Sequence, residues 1–282
     1  MFLLQAARRL LLMAPLGIAV AASACVDIQA GDLRYLQREE KHFTVSDHPD
    51  VSLATFNGAI EVRVWDHPEV QIIVERRGSD QHEAEAIRVE SEQHGDRVSM
   101  TVKDERTNDL GFHRQRSASL LVTLPRNARV EARSGDGAID IRDVGGELVT
   151  HTGDGSIRLD GVSGPVDARS GDGSILITGV LTSVHAMSGD GSVTVRASAG
   201  STARDDWSIN TGDGPVVLEL PDNFAAELDA RTGDGGISVR DLDLERTSEG
   251  DRSNRRVHGR LGAGGAHIGI HTGDGSITLR RF

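Results

Sequence analysis

Seven times from Ser134 onward the same phrase returns: a Ser or Thr, then Gly-Asp-Gly, a small residue and an alternating aliphatic pair. Its first glycine stands at Gly135, Gly153, Gly171 and Gly189, a constant step of 18 residues, and then at Gly212, Gly233 and Gly273 after looser steps. A fixed period of this length means one supersecondary unit stacked on copies of itself, because a unit too small to bury its apolar side alone is stable only against its neighbours. The function of such a chain has to be sought on a repeated surface.

Parity resolves the unit further. From Val166, small or apolar residues fall at Ala168 and Ser170, and beyond Gly171-Asp172-Gly173 they fall at Ile175 and Ile177, on the other parity; Val180 switches it again. Side chains alternate faces along a strand, so each switch marks a corner. A coil of about 18–23 residues therefore predicts two short strands and two corners, one Gly-Asp-Gly and one variable, as from Asp160 to Pro165. Stacking the copies in chain order gives inward columns. One reads Val130, Leu148, Val166, Val184, Trp207, Leu228, Ile268, and another Ile139, Ile157, Ile175, Val193, Val216, Ile237, Ile277. The second is almost uniformly β-branched, as a close-packed strand ladder requires. Between Asp234 and Asp274 lies an irregular stretch, Glu245 to Arg256, and then what reads as one degenerate coil around Val257 to Leu261.

Upstream, between Phe43 and Pro125, period-2 segments predict half-buried strands at Val51 to Thr55, Ile60 to Val64, Val70 to Glu75, Ile87 to Glu92, Val98 to Val102 and Leu120 to Leu124. Asp80 to Ala86 suits a turn of helix, and Asp104 to Ser117 reads as an exposed charged loop. Thr55-Phe56-Asn57-Gly58-Ala59-Ile60-Glu61-Val62 aligns without a gap on Thr152 to Leu159, so it is a diverged copy of the repeat. The expectation is an all-β, single-domain β-solenoid over residues 43–282, with 43–129 an N-terminal cap or side sheet holding one diverged coil and 130–282 the regular repeats.

The first 24 residues belong to transport. Arg8 and Arg9 precede an apolar run from Leu10 to Ala22, and Ala22-Ser23-Ala24 precedes Cys25, the pattern of a secretory signal peptide. Cys25 is the only cysteine. Its position just past the cut resembles the bacterial lipobox, departing from it in having Ala22 where Leu is usual, and marks Cys25 as a lipid anchor. Val26 after it, rather than Asp, points to an outer membrane. Residues 25–42 read as a tether. Removing residues 1–24 takes away two arginines and no acid, which leaves 29 basic and 43 acidic residues, a net charge of −14. That balance argues against nucleic acid as a partner.

At the repeated phrase the chain resembles a family of bacterial envelope proteins called "putative adhesins", whose pattern is a strand, a Ser/Thr-Gly-(Asp/Ser)-Gly turn and a second strand, repeated, with a closing stretch like Thr272 to Leu279. The similarity covers roughly residues 43–282. It implies a β-solenoid at the cell envelope.

In register, Asp136, Asp154, Asp172, Asp190, Asp213, Asp234 and Asp274 form a ladder at about the 4.8 Å strand spacing. Neighbouring carboxylates then repel by ~0.9 kcal/mol in bulk water. The reading that explains Gly, Asp and Ser/Thr together is a turn. Asp takes a left-handed or bridge conformation and caps backbone N–H groups, and the inward hydroxyl satisfies another group. A second reading is calcium on the aspartates. Against it, the opposite corners (Val162 to Pro165, Val180 to Ser183) are poor in acid. The residues just before Ser/Thr, namely Arg133, His151, Arg169, Met187, Asn210, Arg231 and His271, are often basic and so placed to neutralise the column without a metal. A third is a repeated surface for an envelope polymer or protein ligand. His267 and His271 share a parity, but no third metal ligand is evident. No catalytic constellation is singular, Gly-Asp-Gly lacks the Lys-Ser/Thr of a phosphate loop, and the aliphatic-every-six pattern of hexapeptide acyltransferases fails at Ser163 and Arg169. The expected function is therefore a non-enzymatic, cofactor-free, lipid-anchored envelope protein that binds or adheres. The alternatives are a periplasmic structural or sensing protein and, further off, a carbohydrate-active enzyme.

Overall fold

The computed structural model describes residues 23–27, 35–105, 116–246 and 254–282. All but the last two residues of the expected signal peptide, and most of the stretch from Asp104 to Ser117, lie outside them. The N-terminal third contributes β1 (Ser23–Asp27), β2 (Tyr35–Thr44), β3 (Asp50–Thr55), β4 (Ile60–Trp65), β5 (Glu69–Gly78), α1 (Gln81–Glu85), β6 (Ile87–His94), β7 (Arg97–Asp104) and β8 (Ser117–Pro125). The repeats supply β9 (Arg129–Ser134), β10 (Ile139–Arg142), β11 (Leu148–Thr152), β12 (Ile157–Ser170), β13 (Ile175–Ser188), β14 (Val193–Ala197), β15 (Trp207–Thr211) and β16 (Val216–Leu220). The rest is β17 (Ala226–Thr232), β18 (Ile237–Arg240), β19 (Leu244–Arg246), β20 (Arg256–Leu261), β21 (His267–Thr272) and β22 (Ile277–Arg281). These strands form one continuous sheet that doubles over at the corners and does not close.

The architecture is a β-solenoid. Leu148 lies opposite Val130 on one side and Val166 on the other, and Ile157 opposite Ile139 and Ile175, all parallel and in register. The predicted columns are buried and meet across a core of Val, Ile, Leu and Ala. The variable corner differs from expectation in two coils. β12 and β13 run straight through it, with register slips at Leu159/Val162 and Gly164/Pro165 instead of a separate turn. Gly161 and Gly164, at φ +65° and +120°, absorb the bend as bulges do.

At both ends the coils leave chain order. β3 and β4 pair with β9 and β10 on one side and with β7 and β8 on the other. The diverged copy at Thr55 is thus a true coil, with Thr55 opposite Ser134 and Ile60 opposite Ile139. The region 43–129 holds two coils rather than one. The second, β7 and β8, carries no motif because a long connection replaces its corner and Val102 fills the Ser/Thr position opposite Thr55.

At the far end β21 and β22 are wedged between β15/β16 and β17/β18. The column therefore runs Trp207, Ile268, Leu228, not in the chain order expected. The stretch Val257 to Leu261 is not a degenerate coil. It belongs to β20, which lies antiparallel on β17 and carries β19 on its other edge. Antiparallel strands also close the N-terminal end, β6 on β7 and β5 on β8, with β2 on β5 and β1 on β2. These antiparallel strands cap the parallel stack at both ends.

The expected tether is corrected in the same way, because from Tyr35 onward it is strand β2. Its charged run is tolerated in a strand because the charges pair over the end of the core. Lys41 lies 3.3 Å from Glu39 and donates to Ser91 Oγ at 2.9 Å, while Arg76 reaches Glu39 at 3.2 Å. Strand β1 straddles the expected cleavage site and sets Cys25 opposite Arg38. The helical turn at Asp80 is present, with Asp80 as the cap accepting from Glu83 N–H at 2.9 Å. The expected loop up to Ser117 is not exposed at its described end, since the Arg116 side chain, 10% exposed, lies between Glu83 and Asp104, each at 3.1 Å.

Candidate functional site

Each Ser or Thr of the motif points inward. The Ser170 hydroxyl accepts the N–H of Gly173 in its own corner at 3.0 Å and donates to the carbonyl of Gly155 on the neighbouring coil at 2.9 Å. Ser188, Thr232 and Thr272 repeat both bonds. One hydroxyl thus closes a turn and ties two coils together, which is why the position is never Ala or Val in a true corner.

The glycines serve close approach rather than conformational freedom. None of the glycines in the seven Gly-Asp-Gly corners has a positive φ, although Gly58 in the diverged corner has φ +143°. The backbone of one corner rests on the backbone of the next. Gly171 N–H donates to Gly153 O at 2.5 Å, Gly212 to Gly189 at 2.5 Å and Gly273 to Gly212 at 2.6 Å. A Cβ on Gly171 would stand 2.5 Å from the Gly153 carbonyl oxygen, inside any tolerable contact.

The hydroxyl half of the expected turn is present, but the aspartates do not supply its cap. None takes a left-handed φ, and among the described residues no backbone N–H donates to any of the seven carboxylates. The side chain that accepts a corner amide is instead the Ser/Thr hydroxyl, which takes the N–H of the second glycine. All seven are exposed and stand in the spatial order Asp136, Asp154, Asp172, Asp190, Asp213, Asp274, Asp234. Nor do the basic neighbours neutralise them. Arg133 pairs with Glu131 at 2.6 Å, Arg169 with Asp167 at 2.8 Å and Arg231 with Asp229 at 2.6 Å. In each pair the acid lies two positions back on the same strand face, nearer than the carboxylate around the corner. Among the described residues one cation reaches the ladder, Arg255 at 3.6 Å from Asp234 at its end.

Electrostatics elsewhere are locally balanced. Asp229 is held below the usual carboxylate range by hydrogen bonds from Arg231, against the opposing effect of burial, with the charges of Arg231, Arg256 and His258 adding to the shift. For Asp140 burial is the largest influence and acts upward, but the bond from Arg142 and the charges of Arg63, Arg142 and Arg158 together outweigh it and lower the pKa. No group of three or more His, Cys, Asp or Glu among the described residues is gathered to hold a metal ion. His267 and His271 are exposed on β21, about 13 Å apart along the strand, too far to share an ion. The Cys25 side chain lies outside what the structure describes.

One concave feature escaped the sequence reading. A groove of about 340 Å³ runs over Gly269, between Ser208 and Asn210 on β15 and Asp229 and Arg231 on β17, with His267 and His271 also in its lining. The signal was a glycine at an outward strand position, out of step with every corner. Among the described residues, no helix is long and apolar enough to cross a membrane.

The Toastrack DUF4097 family model matches residues 129–280, from the first regular repeat to the last strand and more than half of the chain. No curated protein sequence matches. Solved structures similar to this chain include a "putative cell adhesion protein" from Clostridium sporogenes, 11% identical, covering 87% of this chain and 100% of that one with a TM-score of 0.42. Another is a "putative adhesin" from Bacteroides fragilis, 9% identical, covering 87% and 97% with a TM-score of 0.35. A third is a "putative lipid binding protein" from Parabacteroides distasonis, 11% identical, covering 86% and 96% with a TM-score of 0.38.

Proposed function

The chain belongs to the Toastrack DUF4097 family, and on that premise we propose that it is an exported, lipid-anchored, non-enzymatic envelope protein that presents the corner edge of its solenoid for binding. The observation that carries this reading is the ladder itself. Six exposed carboxylates, Asp136, Asp154, Asp172, Asp190, Asp213 and Asp274, stand along one edge with no side-chain partner among the described residues, while the arginines beside them are bound to other acids. A column of like charges that the fold neither needs nor neutralises suits a polyvalent partner, an envelope polymer or protein whose donor or cationic groups repeat. A repeated acid also argues against catalysis, which needs one group distinguished from its neighbours.

Export rests on Arg8-Arg9, the apolar run to Ala22 and the placing of Cys25. An anchor at Cys25 would hold the protein by its N-terminal end, because β1 is the outermost strand there. The coils would then rise from the membrane in steps of ~4.8 Å. Protease shaving of intact cells tests the reading. Digestion on intact cells supports a role at the cell surface, and protection until the outer membrane is broken would replace it with a periplasmic structural or sensing role. Cys25→Ser should release the protein in soluble form.

A further inference from the structure

Corner glycines are forced by the stack, but Gly269 is not. Its φ is not positive, and a Cβ there would meet nothing nearer than His267 Nε2 at 3.5 Å, an ordinary contact. A strand interior disfavours glycine unless something approaches closely. In the same outward row the adjacent strands carry Ser208 and Asp229. The missing side chain leaves the groove of about 340 Å³, within the size range of small-ligand sites.

The walls of the groove have a definite chemistry. Asn210 Nδ2 donates to Ser208 Oγ at 2.7 Å, which fixes the amide and leaves its carbonyl free to accept. Asp229 is gripped by Arg231 at 2.6 and 3.0 Å and by Arg256 at 3.3 Å, so it stays ionised and its charge is matched. The His267 imidazole leans over Gly269, its Nε2 3.5 Å from where a Cβ would stand, and His271 also lines the groove. Within the lining itself one carboxylate, Asp229, and one guanidinium, Arg231, offset each other, so the groove does not select a free cation or anion. It suits groups that donate and accept at once, with a C–H face to lie against a ring. We propose that the groove over Gly269 is a binding subsite for a neutral pyranose residue.

Unlike the ladder, the groove is singular. Residues 208–210, 229–231 and 267–271 meet only because β21 is wedged between β15 and β17. The proposal rests on the reading of the chain as a binding protein, but not on which side of a membrane it faces. It is therefore tested on purified protein, where a negative result leaves the shaving experiment untouched.

The test is saturation-transfer-difference NMR with methyl glycosides of glucose, galactose, mannose and N-acetylglucosamine at millimolar concentration. Transfer to at least one sugar is expected. It should weaken by about tenfold or more in Gly269→Val, which fills the groove with a strand-forming side chain, and should weaken in Asn210→Ala, which loses a wall hydrogen bond. Arg158→Gln, on the opposite face, should leave it unchanged. Should Gly269→Val not fold, Asn210→Ala decides. No transfer to any of the four sugars, or transfer undiminished in a folded groove variant, overturns the proposal, as does equal loss in Arg158→Gln.

Discussion

The coils from Arg129 to Ala197 and those from Trp207 to Arg281 share one corner and the same core columns, yet they are stacked by different rules. In the first region each coil rests on the one before it in the chain. In the second, β21 and β22 enter between coils already laid down. The corner does not distinguish the two cases. Gly273 N–H meets Gly212 O at 2.6 Å and Gly233 N–H meets Gly273 O at 2.7 Å, much as Gly171 meets Gly153 at 2.5 Å. The motif thus specifies how two coils touch, while the connections between them specify which two.

The strongest way to break this comparison is to end the chain after Gly265. That removes four fully buried aliphatic side chains, Ile268, Ile270, Ile277 and Leu279, worth about 6 kcal/mol or more by burial alone. It also strips β17 and β18 of their parallel neighbours. Protection from hydrogen exchange should vanish across 207–261 and persist across 129–180. Protection retained in β17 and β18 would show the wedge to be dispensable.

Next in size is a contrast of two glycines. Gly171→Ala should cost roughly 2–4 kcal/mol in urea unfolding, since its Cβ meets a backbone carbonyl that cannot move without its whole coil. Gly269→Ala should fall within about 1 kcal/mol of neutral, on the stabilising side, because it restricts only the unfolded chain. Equal costs would mean that the corner glycines are not set by stacking.

Thr152→Val and Thr272→Val each remove a hydroxyl that bonds a neighbouring coil and should cost about 1–2 kcal/mol apiece. The comparison predicts similar values in the ordered and wedged regions, and a clear difference would show that the two corners are not equivalent.

Acid should act through Asp229. Its folded pKa lies below the unfolded one, so its contribution is present above the unfolded value near 3.8 and is lost as pH falls through the folded value. Asp229→Asn should therefore flatten the melting-temperature profile below pH 4, and an unchanged slope would remove Asp229 from the account. The smallest effect belongs to Asp172→Asn, within about 0.5 kcal/mol and stabilising at low salt through relieved repulsion. Millimolar Ca²⁺ should leave the wild-type melting temperature in place, and a rise would return the ladder to calcium.

Much of the fold was legible because two periods speak plainly. Alternation marked the strands from Val51 to Leu124, and the 18-residue step set Ile139, Ile157 and Ile175 in one column. The wedge was not legible, since every Gly-Asp-Gly corner can accept any other. The coil of β7 and β8 was hidden because Val102 stands where the motif has Ser or Thr. At the site, the pairing of the arginines was written in Glu131-Ala132-Arg133, Asp167-Ala168-Arg169 and Asp229-Ala230-Arg231, each an acid two positions before its base. The groove could be seen only after the neighbours of Gly269 were known, and those neighbours are set by the wedge.

The out-of-order coil also sets the timing of assembly. An exported chain that emerges N-terminus first can lay down the coils from Arg129 to Ala197 as each appears, but the slot between β15 and β17 stays open until β21 and β22 have followed. Until then the apolar faces of Trp207, Ile209 and Leu228 lack their cover. The far end of this molecule should therefore be the last to acquire protease resistance and the first substrate for a holdase.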